Sequence, residues 1–187
     1  FPTFSAPPQP PTPEPLAIAK SLNSALKNVA KQVSPSVAVL RIATKEAQAG
    51  STGVGRFNDF LKKNAPGYQS GKEPKDDRDF VFNQSGSGVI ISKDGFILTN
   101  RHVIDGAVRI KVYLHDGRDF TGELRGYDDH SDLAIVKINA ANLSVATIGD
   151  SDKVDVGEFA IALGAPFSLK YSVTVGHISA LRRTSLF

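Results

Sequence analysis

The run Asp94-Gly95-Phe96-Ile97-Leu98-Thr99-Asn100-Arg101-His102-Val103-Ile104 decides how this chain is read. Asp94-Gly95 is a tight-turn pair, because glycine accepts the positive φ that a short hairpin demands. Phe96–Thr99 then reads as a strand, being built from residues that suit a pleated surface. Beyond Thr99 the strand breaks into a short helical turn, which lifts the His102 imidazole out at the end of the sheet.

Working outward, five more short segments read as strands: Val37–Ile42, Gly88–Ser92, Val108–Leu114, Asp119–Tyr127 and Leu133–Ile138. Val108–Leu114 alternates cleanly, with Val108, Ile110, Val112 and Leu114 expected on one face. Asp116-Gly117 supplies a second tight hairpin. Six short strands suit a small closed antiparallel barrel, since closure removes exposed sheet edges.

The flanks differ in character. Residues 1–15 hold seven of the eleven prolines, so they favour extended polyproline geometry and make no core. A helix is expected over Leu16–Val33, where Leu22, Leu26, Val29, Ala30 and Val33 recur at helical spacing, and Ser34-Pro35 ends it. A long inserted loop spans 43–85, with Phe57, Phe60, Phe80 and Phe82 scattered through it. After a connection through Thr147–Asp152 come two further strands, Glu158–Leu163 and Ser172–Leu181. Two strands cannot close a second barrel. The expected organisation is a proline-rich segment 1–15, a helix and first barrel over 16–150, and an incomplete second barrel over 151–187.

Composition narrows the function. With 41% hydrophobic and 22% charged residues, the chain can build a globular core. Its net charge of +3 is spread along the chain, apart from pairs such as Lys62-Lys63 and Arg182-Arg183. That is solvated surface charge and not a nucleic-acid footprint, so no nucleic-acid partner is expected. The absence of cysteine excludes disulfides, thiolate nucleophiles and cysteine zinc sites. No apolar run is long enough to span a bilayer as a helix. The chain starts at Phe1 with no signal peptide, which suggests a processed chain.

His102 and Asp132, at the mouths of two strands, are the candidate catalytic residues. A histidine acting as general base needs a carboxylate on its second nitrogen, to fix the tautomer and stabilise the imidazolium. On spacing alone a His–Asp pair is common, and a structural role for both is the more expected reading. Other constellations are weaker. His102, His115, His130 and His177 lack metal-ligand spacing, so no metal is expected. Gly86-Ser87-Gly88 precedes a strand where a phosphate loop would follow one. Ser24-Ala25-Leu26-Lys27 matches an S-x-x-K pattern without its partner motifs.

The stretches Gly86–Ile91 and Asp94–Ile104 closely resemble the HtrA (DegP/DegQ/DegS-like) trypsin-like serine proteases around their catalytic histidine. Ser131-Asp132-Leu133-Ala134-Ile135-Val136-Lys137-Ile138 is similar to that family's aspartate segment. Ile148-Gly149-Asp150-Ser151-Asp152, Ala160–Phe167 and Val173–Ala180 continue the resemblance. It implies an all-β, chymotrypsin/trypsin-like double β-barrel, complete in its first barrel, holding only the first strands of the second, and preceded by an N-terminal helix. It implies His102 as general base and Asp132 as its orienting carboxylate, in a serine endopeptidase degrading unfolded or damaged proteins, with no cofactor. It also implies a periplasmic or cell-envelope location near the membrane periphery, and a homotrimer held through Phe1 and Phe4. The sequence departs from the family pattern at Arg101, Ala165 and His177, none of them a triad position. The family's Gly-Asn-Ser-Gly-Gly nucleophile run does not occur in these 187 residues. The segment alone is therefore expected to be inactive. The alternative is a non-catalytic remnant that only binds or assembles.

Overall fold

Strand β1 (Val37–Thr44) is the seam on which the sheet closes, and six of its eight residues are buried. It pairs with β2 (Phe82–Ile90) on one edge and β4 (Ala107–Tyr113) on the other. β3 (Phe96–Asn100), β5 (Asp119–Asp128) and β6 (Leu133–Lys137) complete a closed antiparallel barrel in the order β1-β2-β3-β6-β5-β4. The computed structural model describes residues 13–44, 80–164 and 172–181. Before the barrel lies helix α1 (Pro13–Val33), and after it a two-stranded ribbon of β7 (Phe159–Gly164) and β8 (Ser172–His177). No helix among the described residues is long and apolar enough to cross a membrane.

The barrel interior is filled by side chains from β1, β2, β3, β4 and β6, with Leu40, Ile42, Ile90, Ile97, Val112 and Val136 almost wholly removed from solvent. It is narrow enough that two strands must pass without a side chain. A Cβ on Gly122 would lie 2.7 Å from Val136 Cγ1 and 3.0 Å from Ile110 Cγ2. One on Gly88 would lie 2.6 Å from Ile97 Cγ2 and 2.7 Å from Leu40 Cδ1. The expected hairpins are present, with Gly95 at φ 94° and Gly117 at φ 88°. Arg118, just past the second turn, ties the hairpin to the outgoing chain. Its guanidinium donates to the carbonyls of Ala141 (2.6 Å) and Asn142 (3.1 Å) and to Asp116.

Several sequence expectations need correcting. β2 begins at Phe82, six residues ahead of Gly88, so both ends of the expected 43–85 loop are strand. Pairing with β1 overrides the weak strand propensity of Asn83–Ser87, and the ends are pinned locally. Thr44 N donates to Asn83 Oδ1 (3.2 Å), and the Arg41 guanidinium sits 5.7 Å from the Phe82 ring. β8 stops at His177 instead of reaching Leu181. Val108 is exposed while Ile110, Val112 and Leu114 are buried, because the expected face runs off the barrel rim there. The apolar stripe of α1 is not buried either. Only Ala30 is, while Leu22, Val29 and Val33 are 44%, 45% and 40% exposed. A closed barrel already covers its own core, and α1 touches mainly the turn that follows it and β7. Phe1, Phe4, most of the proline-rich segment, Phe57, Phe60, Lys62-Lys63, Ala165-Pro166-Phe167 and Arg182-Arg183 lie outside the described residues.

The tight interior makes a sharp expectation. Gly122→Ala should destabilise the fold by about 1–3 kcal/mol through overpacking. Gly126→Ala, on the same strand with no atom within 4 Å of the new methyl, should change stability little. Urea unfolding of both variants checks this. Equal midpoints would mean that the barrel repacks around the extra carbon.

Candidate active site

The site forms where two turns meet at one end of the barrel. The first is the short 3-10 turn Arg101–Ile104 that follows β3. Thr99, buried at the end of β3, donates its hydroxyl to Ser87 O (2.8 Å), which fastens β3 to β2. Ile104 plugs into the core, and Val103 seats on Gly86, where any Cβ would come within 2.5 Å of Val103 Cγ1. With Val103 and Ile104 turned inward, the side chain of His102 is left 68% exposed. The glycines of Gly86-Ser87-Gly88 therefore serve as seats for neighbouring side chains, and Ser87 as an acceptor.

The second turn joins β5 to β6. Asp128 closes it by accepting from Ser131 N (2.8 Å) and Ser131 Oγ (2.5 Å). Asp132 then adopts φ 53°, a left-handed conformation uncommon for a residue other than glycine. Asp132 is held there by bonds to both its backbone and its carboxylate. Arg101 N donates to Asp132 O (2.9 Å), and His102 N donates to Oδ1 (2.9 Å). Asn100 Nδ2 donates to both the carbonyl and Oδ2, each at 3.2 Å. The remaining contact is His102 Nδ1 to Asp132 Oδ2, at 2.6 Å.

These donors decide the charge state. The backbone amide of His102, then its ring, lower the Asp132 carboxyl below its ordinary range; desolvation opposes this in part, and Asn100 adds a smaller lowering. An ionised carboxylate only accepts, so Nδ1 must carry the proton. That leaves the Nε2 lone pair free to act as a base towards solvent or an incoming group. Asp128 is lowered too, by the Ser131 hydroxyl and then the Ser131 amide.

The structure thus brings His102 and Asp132 together across thirty residues of sequence. It does not bring Ser24 and Lys27 into this site: Ser24 sits in α1 and donates to Lys20 O (2.9 Å). His177 lies on the ribbon, its Nδ1 3.0 Å from Gly157 O and its ring centroid 4.4 Å from that of Phe159, the planes tilted by 37°. Two features escape the sequence reading: Asn100 stands in the His102 motif with no role assigned, and the positive φ of Asp132 is not foreseen.

With this geometry in view, comparison with known proteins identifies the chain. A family model described as trypsin-like peptidase domain matches residues 86–186. The chain belongs to this family. The relatives and solved structures to which it is similar include DegP-like and HtrA types. The chain is 45% identical over 129 residues to a probable periplasmic serine endoprotease, DegP-like, of Halomonas elongata, covering 69% of this chain and 26% of that protein. It is 52% identical over 101 residues to the putative serine protease HhoB of Synechocystis, covering 54% of this chain and 24% of that protein. Among solved structures, an HtrA-type protease, AlgW with tripeptide, aligns with TM-score 0.64 at 32% identity, over 86% of this chain and 42% of that one. This trypsin-like peptidase chain spans about a quarter of the length of the curated relatives it matches. Its closed barrel is the first of the two expected for the fold, and β7 and β8 are the first strands of the second.

The lowered carboxylates give the barrel an acid dependence. Asp132 and Asp128 bind their protons less tightly when folded than when unfolded. The stability they add is therefore complete above the ordinary carboxylate range, near pH 4. It is lost as pH falls through their lowered values. Thermal unfolding should be flat above about pH 5 and decline below about pH 4. Asp128→Asn, which keeps an acceptor for Ser131 but does not titrate, should flatten that decline. Superimposable acid profiles for the two proteins would refute the assignment.

Proposed function

We propose that this chain supplies the histidine–aspartate part of an HtrA-type serine endopeptidase, with His102 as general base and Asp132 as the carboxylate that orients it. The observation that carries the reading is the 2.6 Å contact of Asp132 with His102 Nδ1, which leaves Nε2 free at an exposed position. The relatives' names add support, since the proteins they describe are serine proteases and, for several, periplasmic.

The reaction needs a serine hydroxyl beside Nε2, and we place it in sequence outside these 187 residues. His102 Nε2 takes the hydroxyl proton as the serine oxygen attacks a peptide carbonyl. Collapse of the tetrahedral adduct breaks the C–N bond, and the same proton passes to the leaving amine. Water then attacks the acyl ester, giving its proton to His102, which returns it to the serine as the carboxylate leaves. Asp132 holds the ring in the productive tautomer throughout and stays ionised. No cofactor or metal enters this scheme. The substrates are unfolded or damaged polypeptides in the periplasm or cell envelope. The working state is a homotrimer in which the Phe1 and Phe4 rings are buried between subunits, since apolar rings at a solvated terminus gain by such cover.

Two experiments test this. In the full-length protease that carries this chain, Asp132→Asn should cut kcat by about 10⁴-fold with the fold intact. The 187-residue chain alone should neither hydrolyse casein nor take label from a fluorophosphonate probe. Labelling of the chain, or an Asp132→Asn enzyme of normal kcat, would overturn the reading. For the trimer, sedimentation of the full-length protein with Phe1→Ala and Phe4→Ala should show dissociation, and an unchanged trimer would exclude these rings as the main contact.

A further inference from the structure

We propose that Arg101 is a positioning residue, a brace that holds the His102 turn and the Asp132 turn at a constant separation. The inference rests on the reading of His102 and Asp132 given above.

The bonds that join the two turns through Arg101 N, His102 N, the His102 ring and Asn100 all end on one residue, Asp132. That residue is held at a positive φ, a conformation that persists only where its surroundings enforce it. If Asp132 relaxes, those links weaken together. The Arg101 side chain offers a connection that does not pass through Asp132. Its Nε meets Asp129 Oδ1 at 2.6 Å, and Asp129 lies three residues before Asp132 in the same turn. Its Nη1 lies 3.4 Å from Asp105 Oδ2, just beyond the His102 turn. Its guanidinium carbon lies 5.7 Å from the Tyr127 ring on β5. One side chain thus touches the far end of the His102 turn, the turn that carries Asp132, and the strand feeding it. Together with Ile104 and Leu124, Arg101 and Tyr127 line a hollow of about 290 Å³ between these elements, so the brace spans a gap that packing leaves open.

The role follows from magnitudes. Asp129 is 64% exposed and Arg101 34%, and ion pairs so open to water add little to overall stability. Their value is geometric. A planar guanidinium reaches two carboxylates and a ring face at once, where an ammonium is a single point of charge. A proton relay loses rate when its groups drift by a fraction of an ångström to an ångström. Losing the brace should therefore lower turnover and loosen the His102–Asp132 contact while the barrel stays folded.

The test uses two preparations. In the 187-residue chain, proton NMR follows the His102 Nδ1 proton, and its exchange with water should accelerate about tenfold in Arg101→Ala, as expected when local opening becomes easier. Asp129→Ala should do the same, and the double variant should be no worse than either single change. In the full-length protease, both single variants should lower kcat by roughly tenfold with KM unchanged. Arg101→Lys should recover only part of that loss. An unmoved exchange rate in both single variants overturns the brace. A raised exchange rate with normal kcat overturns its catalytic consequence, and full recovery by Arg101→Lys overturns the need for a planar fork. Failure of the protease reading would look different: no variant would matter to activity, yet the exchange rate would still report on the brace.

Discussion

The pairing of β3 with β6 in the register Asn100↔Leu133 is the constraint on which the site depends. The two strands are not neighbours in sequence, yet their pairing sets the end of one beside the start of the other. The His102 turn leaves β3 where Asp132 enters β6, so the two side chains meet without either turn reaching far. A slip of one residue would turn every β6 side chain to the opposite face, expelling Ala134 and Val136 from the core and carrying Asp132 away from His102. Core burial and site geometry are therefore enforced by the same ladder. Closure of the sheet strengthens it, because a strand paired on both edges has no freedom to slide.

Electrostatics at the site work through direct hydrogen bonds more than through burial. His102 and Asp132 are both substantially open to solvent, and Asp132 is lowered by donors aimed at its two oxygens. Amides and a side-chain amide pointed at a carboxylate keep it ionised where water could otherwise compete. The arrangement makes the histidine tautomer a consequence of backbone geometry. The turn that carries the aspartate is shaped in the same way, since Asp128 folds it by accepting from Ser131 and leaves Asp129 directed at Arg101.

The barrel is self-sufficient, and the elements on either side of it are not. Its interior is sealed by its own strands, while most apolar residues of α1 and the whole of β8 remain exposed and β7 is no more than half-buried. Val173, Val175 and Phe159 on the ribbon are as open as Leu22 and Val29 on the helix. Among the described residues, only the barrel buries its own apolar side chains on this scale.

By itself the sequence determined the elements whose signals are local. Asp94-Gly95 and Asp116-Gly117 announce their hairpins because glycine enters the backbone those turns need without steric cost, and both glycines appear with positive φ. The alternation of Ile110, Val112 and Leu114 announces a strand facing a core. What it could not determine were outcomes of pairing and packing between distant residues. β2 starts at Phe82 because β1 offers it a partner, not because Asn83–Ser87 favour a strand. The stripe on α1 has helical period yet stays exposed, since periodicity marks an apolar face without saying what covers it. The positive φ of Asp132, the second donor from Asn100 and the reach of Arg101 to Asp129 were decided only by the tertiary structure. Each depends on two turns brought together by a register that no short stretch of sequence encodes.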